Sequence, residues 1–179
     1  DQLPHIEQTG EIARRFNRRY APDLPVFPLP EAILGQAPAL LGTDGRKMSK
    51  SRNNTITLAA TADETARLLR SAKTDSDRAI TYDPETRPEV SNLLLLSALC
   101  EAGDPRAIAE EIGDGGSAAL KRRVTAAVNE ALAPIRSRRA ELISDRAYLR
   151  DLLHRGSDAA RSVAQRTLAD VADAMHTSY

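Results

Sequence analysis

The chain has 179 residues, 41% apolar and 28% charged, which suits one domain of ordinary size or one domain with part of another. Lysine plus arginine and aspartate plus glutamate each number 25, so no global field draws the protein to nucleic acid or membrane, and any anion binding must be local. The single cysteine, Cys100, excludes a disulfide framework and a cysteine-rich metal site, and with no apolar run of roughly eighteen residues the chain reads as soluble and cytoplasmic.

The first residue is Asp1 rather than methionine, and the segment already leads into a helix, so the chain reads as a fragment. Residues 5–20 place Ile6, Ile12, Ala13 and Phe16 on one stripe with Arg14, Arg15, Arg18 and Arg19 outside it, predicting an amphipathic helix. The proline-rich stretch APDLPVFPLPEAI breaks that helix and predicts an extended crossing, with a short strand over 25–29. Residues 39–41 are a short apolar lead into a basic loop.

Beyond the loop the signals are helical. Thr61 with Glu64 three residues on predicts a capping box for a helix through residue 73. The turn DPETRP precedes a dense apolar helix over 89–101, and Asp104-Pro105 caps a short helix ending at Gly113. Ser117 opens a longer helix with the stripe Leu120, Val124, Val128, Leu132 and Ile135, kinked at Pro134. A helix over 145–154 stopped by Gly156, and a last one over 157–175, complete the expected order.

The basic loop, DGRKMSKSRNNT over 44–55, groups Arg46, Lys47, Lys50 and Arg52 among small polar residues behind a glycine. Two lysines three apart, with serines between and after them, offer ammonium groups and hydroxyls to a polyphosphate. A flexible cation is most useful where charge develops during reaction. The loop is not a Walker A loop, because the glycine pattern and the Gly-Lys-Ser/Thr step are missing.

The residue order narrows the reading. Lys47-Met48-Ser49-Lys50-Ser51 matches KMSKS, the signature of class I aminoacyl-tRNA synthetases, and its flanks resemble those of the tryptophanyl-tRNA synthetase family. Asp1-Gln2 with His5, Glu7 and IARRFN resembles another stretch of that family, as do RPEVSNLLLL and the C-terminal GSDAARSVAQRTLADVADAM.

The resemblance implies a mainly α chain: residues 1–58 as the C-terminal end of a Rossmann-type catalytic domain, and 59–179 as a helical domain that binds the tRNA anticodon. It implies joining of tryptophan to ATP, release of pyrophosphate, and transfer of the tryptophanyl group to its tRNA. Lys47 and Lys50 would be catalytic, binding the leaving pyrophosphate, with Met48, Ser49 and Ser51 completing the ATP-binding loop. Asp1 would accept hydrogen bonds from the ATP ribose, Gln2 would hold the amino acid, and the backbone of Leu40 and Leu41 would lie along adenine.

Mg2+ would come with ATP, no protein-held metal is expected, and the family is homodimeric. Arg122, Arg123, Arg138 and Arg139 are candidate tRNA contacts, and Arg136 belongs to the same basic cluster. The HIGH-type motif of the family is absent, so this chain alone is expected not to activate tryptophan. A tyrosyl-tRNA synthetase, which shares both motifs, and a non-catalytic relative that binds nucleotide or tRNA are the alternative readings.

Overall fold

Pro4 supplies the fixed φ that suits a first helical turn, and α1 runs over Leu3–Tyr20 in a computed structural model that describes residues 2–35, 37 and 39–177. The Gln2 carbonyl accepts from the backbone N–H groups of His5 and Ile6, both at 3.1 Å. The helix ends where Pro22 forces residue 21 out of the helical region.

The strand expected over 25–29 is not formed. Asn17 is the reason: its Oδ1 accepts from the N–H groups of Val26 and Phe27, each at 3.1 Å, and its Nδ2 donates to the Phe27 carbonyl at 2.7 Å. One side-chain amide thus takes the bonds a neighbouring strand would have made. Phe27 closes the contact by meeting Phe16 edge-to-face, with ring centroids 5.0 Å apart.

Helix α2 covers Ala62–Arg70 and opens with the capping box read from sequence. Thr61 Oγ1 accepts from Glu64 N at 3.2 Å, and Glu64 Oε2 accepts from Thr61 N at 2.8 Å. It stops short of residue 73 because the Lys73 N–H turns away to the Thr43 carbonyl at 2.7 Å.

Helix α3, Pro88–Glu101, is apolar nearly all round and buries Val90, Leu93, Leu94 and Ala98, as a central helix must. Asp104 caps α4, Pro105–Ile112, by accepting from Arg106 N at 2.6 Å and Ala107 N at 3.3 Å. Helix α5, Gly116–Ser144, continues through Pro134.

Leu69, Leu94, Leu120 and Val124 are fully enclosed and join Ile80, Ile108 and Val128 in one core. Each such aliphatic side chain contributes about 1.5–3 kcal/mol. Of the stripe expected on α5, Leu120, Val124 and Val128 are buried, whereas Ile135 is exposed.

The two helices expected on either side of Gly156 are one, α6, over Arg146–Ala174. An interior glycine weakens a helix by only about 1 kcal/mol, and the long flanks of good helix formers outweigh it. The mainly α architecture is as expected, and the only β feature among the described residues is one antiparallel bridge, Leu41 with Lys47. Two compact units are present: Asp1–Gly35 with Leu142–Tyr179, and Gln36–Glu141.

Candidate functional site

The basic loop is a folded hairpin within the 36–141 unit. Leu41 and Lys47 face each other across the bridge, and Gly42 N donates to Arg46 O at 2.8 Å. The tip closes with Gly45 N on Gly42 O at 3.0 Å, and Gly45 takes φ +77°, the left-handed region that glycine enters without strain. Past Lys47 the chain makes a single 3-10 turn, Lys50–Arg52, and Asn53 turns it inward at φ 51°.

Asn54 organises the whole loop. Its side chain is buried, with Oδ1 accepting from Ser49 N at 2.8 Å and Nδ2 donating to Asp44 Oδ1 at 2.7 Å and to Lys47 O at 3.2 Å. Its own carbonyl accepts from Thr43 N at 2.9 Å. Gly42 makes room for it, since a Cβ at that position would run into the Asn54 amide.

The electrostatics follow from this arrangement. Asp44 is the loop's one carboxylate, and the Asn54 amide beside it, with the Arg46 N–H, holds its carboxyl below the usual carboxylate range. Its Oδ1 accepts from the Arg46 N–H at 3.0 Å and from the Asn54 amide at 2.7 Å. Lys47, Met48, Lys50, Ser51 and Arg52 are exposed, and the side chains of Lys50 and Arg52 carry no ion pair among the described residues. Ser49 Oγ and Ser51 Oγ lie 2.8 Å apart on the same surface. A polyanion would therefore meet ammonium, guanidinium and hydroxyl groups with little carboxylate opposition.

Two residues of α3 hold the hairpin from behind. Asn92 Oδ1 accepts from Leu41 N at 2.8 Å, and its Nδ2 donates to Leu41 O at 3.1 Å. Glu89 packs against the bare Cα of Gly45, where a Cβ would come within 2.8 Å of its Cγ. Lys73 Nζ donates to Glu89 Oε1 at 2.6 Å and keeps that carboxyl below its ordinary value.

Between hairpin and helices lies an apolar cavity of about 340 Å³, walled by Leu40, Leu41, Met48, Ile56, Leu96 and Cys100 among others. Burial pushes the Cys100 thiol up, so it stays protonated as part of the wall. The Leu41 N–H is already taken by Asn92, so of its main-chain groups only the carbonyl has a lone pair left for a base.

Asp1 lies outside the described residues. Gln2 is exposed at the start of α1, in the other compact unit. Of the arginines singled out for RNA, Arg122 is exposed and borders a groove of about 650 Å³ with Arg70, Lys121, Ser117 and Thr125. Arg123 is committed elsewhere: it pairs with Glu101 through Nε at 2.9 Å and Nη2 at 2.6 Å, tying α5 to the end of α3.

Arg138 pairs with Glu141 on the same helix at 2.8 Å, and Arg139 carries no ion pair among the described residues. Arg136 turns inward and donates to Thr65 Oγ1 and Asn129 Oδ1, both at 2.9 Å. Sequence reasoning missed Asn54 and Asn92. The only available signal for Asn92 was a lone amide inside the apolar run of α3.

A family model described as tRNA synthetases class I (W and Y) matches residues 1–133. The chain belongs to this family. It is similar to the tryptophan--tRNA ligase of Nostoc sp., 38% identical over 98% of this chain and 54% of that relative. It is likewise similar to that of Aquifex aeolicus, 37% identical over 98% of this chain and 45% of that relative. The chain spans about half the length of the curated relatives it matches.

Among solved structures, tryptophanyl-tRNA synthetase from Mycoplasma pneumoniae superposes with a TM-score of 0.77 at 25% identity, covering 100% of this chain and 57% of that one. The Campylobacter jejuni enzyme in complex with ADP and tryptophan gives 0.68 at 26% identity, over 98% of this chain and 54% of that one.

Proposed function

We propose that this chain is the C-terminal half of a tryptophan--tRNA ligase, with 1–58 completing the nucleotide-binding catalytic domain and 59–179 forming the helical tRNA-recognition domain. The observation that carries this reading is the KMSKS hairpin, folded on Asn54 so that Lys50 and its neighbours face outward. The names of the relatives favour tryptophan over tyrosine as the substrate.

In the activation step the tryptophan carboxylate attacks the α-phosphorus of ATP, and the bond to the bridging oxygen of the β-phosphate breaks. The negative charge that develops on the leaving pyrophosphate is met by Lys47 and Lys50, with Ser49 and Ser51 donating hydroxyl hydrogens to phosphate oxygens and Met48 completing the loop. Asp1 accepts from the ribose hydroxyls and Gln2 helps hold the amino acid. In the second step a hydroxyl at the 3′ end of tRNA(Trp) attacks the adenylate carbonyl, and AMP leaves.

No cluster of three or more potential metal ligands occurs among the described residues, and Asp44 is engaged with Asn54. In this reading Mg2+ enters on the ATP phosphates as part of the substrate. No helix among the described residues is long and apolar enough to cross a membrane. The assembled enzyme is a cytoplasmic homodimer in this reading.

The test is amino-acid-dependent ATP–pyrophosphate exchange by the product of the complete reading frame that carries this sequence. Exchange with tryptophan, reduced about a hundredfold or more by Lys47→Ala or Lys50→Ala, is the expected result, since one lost contact to developing charge costs about 3 kcal/mol. Exchange with tyrosine moves the protein to the sister specificity. A folded product without exchange points to a nucleotide- or tRNA-binding regulator.

A further inference from the structure

Leu41 sits at the base of the hairpin with Lys47 on one side and, among the described residues, no neighbouring strand on the other. The place of a strand is taken by the Asn92 side chain, 51 residues away in sequence, which accepts from Leu41 N at 2.8 Å and donates to Leu41 O at 3.1 Å. A primary amide has the same donor and acceptor as a peptide group, so this two-way exchange reproduces the hydrogen-bonded pair of an antiparallel ladder. Asn92 therefore acts as a one-residue strand mounted on a helix.

The mount is rigid. Leu93 and Leu94, the next residues of α3, are 4% and 0% exposed, and Val90 is 1% exposed. One turn earlier, on the same face of the helix, Glu89 supports Gly45 and receives Lys73 Nζ, while Lys73 N binds Thr43 O at 2.7 Å. Both the base and the tip of the hairpin thus rest on α3, and the base is held by Asn92.

We propose that Asn92 is a positioning residue for Lys47. By fixing both main-chain groups of Leu41 it sets the register of the residue opposite, Lys47, and so the place where its ammonium group meets the leaving phosphate. This inference rests on the ligase reading above. Without Asn92 the Leu41 N–H and C=O lose the partner they have at 2.8 and 3.1 Å, and the base of the hairpin can shift while its tip stays on Glu89. An ångström-scale displacement of a catalytic group can cost about a hundredfold in rate.

The experiment compares wild type, Asn92→Ala and Asn92→Asp in the product of the complete reading frame, with a thermal melt to establish folding. Amide hydrogen exchange read at Leu41 should accelerate at least about tenfold in Asn92→Ala relative to buried α3 amides, whereas Asn92→Asp, which keeps the acceptor, should stay protected. In ATP–pyrophosphate exchange, Asn92→Ala should lower kcat by about tenfold to a hundredfold with the tryptophan KM unchanged. In a Lys47→Ala background the same substitution should add little further loss, because its effect runs through that lysine.

Unchanged Leu41 protection in Asn92→Ala overturns the proposal. So does an undiminished kcat loss in the Lys47→Ala background, which marks a general structural role. If the wild type shows no exchange, the ligase reading fails and the catalytic role with it, while Leu41 protection still decides whether Asn92 holds the hairpin.

Discussion

Arg87 shows how much one side chain can hold. Its Nε and Nη2 donate to Asp75 at 2.8 and 2.7 Å, and its Nη1 donates to Ala79 O at 2.6 Å and Thr81 Oγ1 at 2.8 Å, fastening the 75–81 loop to the start of α3. With its side chain 11% exposed, these bonds form largely out of water, although the half-exposed Asp75 discounts the ionic part. The guanidinium holds the Asp75 carboxyl below its ordinary value, and Lys73 and Arg123 do the same for Glu89 and Glu101.

A carboxyl depressed on folding stabilises the native state above its unfolded pKa, about 4, and that contribution fades as pH falls through the lower folded value. Urea unfolding should therefore give stability that is level near neutrality and declines below about pH 4. Arg87→Met should lose about 2 kcal/mol at neutral pH and flatten the acid decline. An unaltered acid slope in that variant would show that the Asp75 pair is not its source.

At the scale of elements, local chemistry was legible and long-range chemistry was not. The Thr61–Glu64 capping box and the Asp104-Pro105 start are written within four residues, and the helices begin where they predict. The strand over 25–29 failed because its partner groups sit on Asn17, a residue read only as helical. Gly156 was weighted as a stop, yet a Cβ there would find nothing within 4 Å and the helix continues.

Gly156→Ala should accordingly raise helical stability by up to about 1 kcal/mol, seen as a higher melting temperature by circular dichroism. A lower one would mean that the glycine serves a packing need absent here. The exposure of the loop lysines was legible because a cationic, polar segment without apolar periodicity has no packing role, while the role proposed for them comes from the KMSKS resemblance alone. Asn54 and Asn92 were not, since neither periodicity nor spacing announces an amide that satisfies distant backbone.

For the whole molecule, a net charge of +0 hides two cationic regions, the KMSKS hairpin and the groove bordered by Arg70, Lys121 and Arg122. If the groove meets tRNA phosphates, Arg70→Ala with Arg122→Ala should weaken tRNA binding and reduce its salt slope by about 1–2, leaving tryptophan-dependent exchange intact. Binding titrated at several salt concentrations checks this, and an unchanged slope removes the groove from the RNA surface. Arg136→Ala is the contrasting case, because its guanidinium is turned toward Thr65 and Asn129 and its loss should register as stability.

The division of the chain also sets an order of events. The 36–141 unit is continuous, whereas its companion takes residues from both sides of it, Asp1–Gly35 and Leu142–Tyr179. On a ribosome adding roughly 5–20 residues per second, the continuous unit can close while the rest is still being made. The residues of its core, Leu69 to Val128, are by then all on the chain, so closing that core waits for nothing from residue 142 onward.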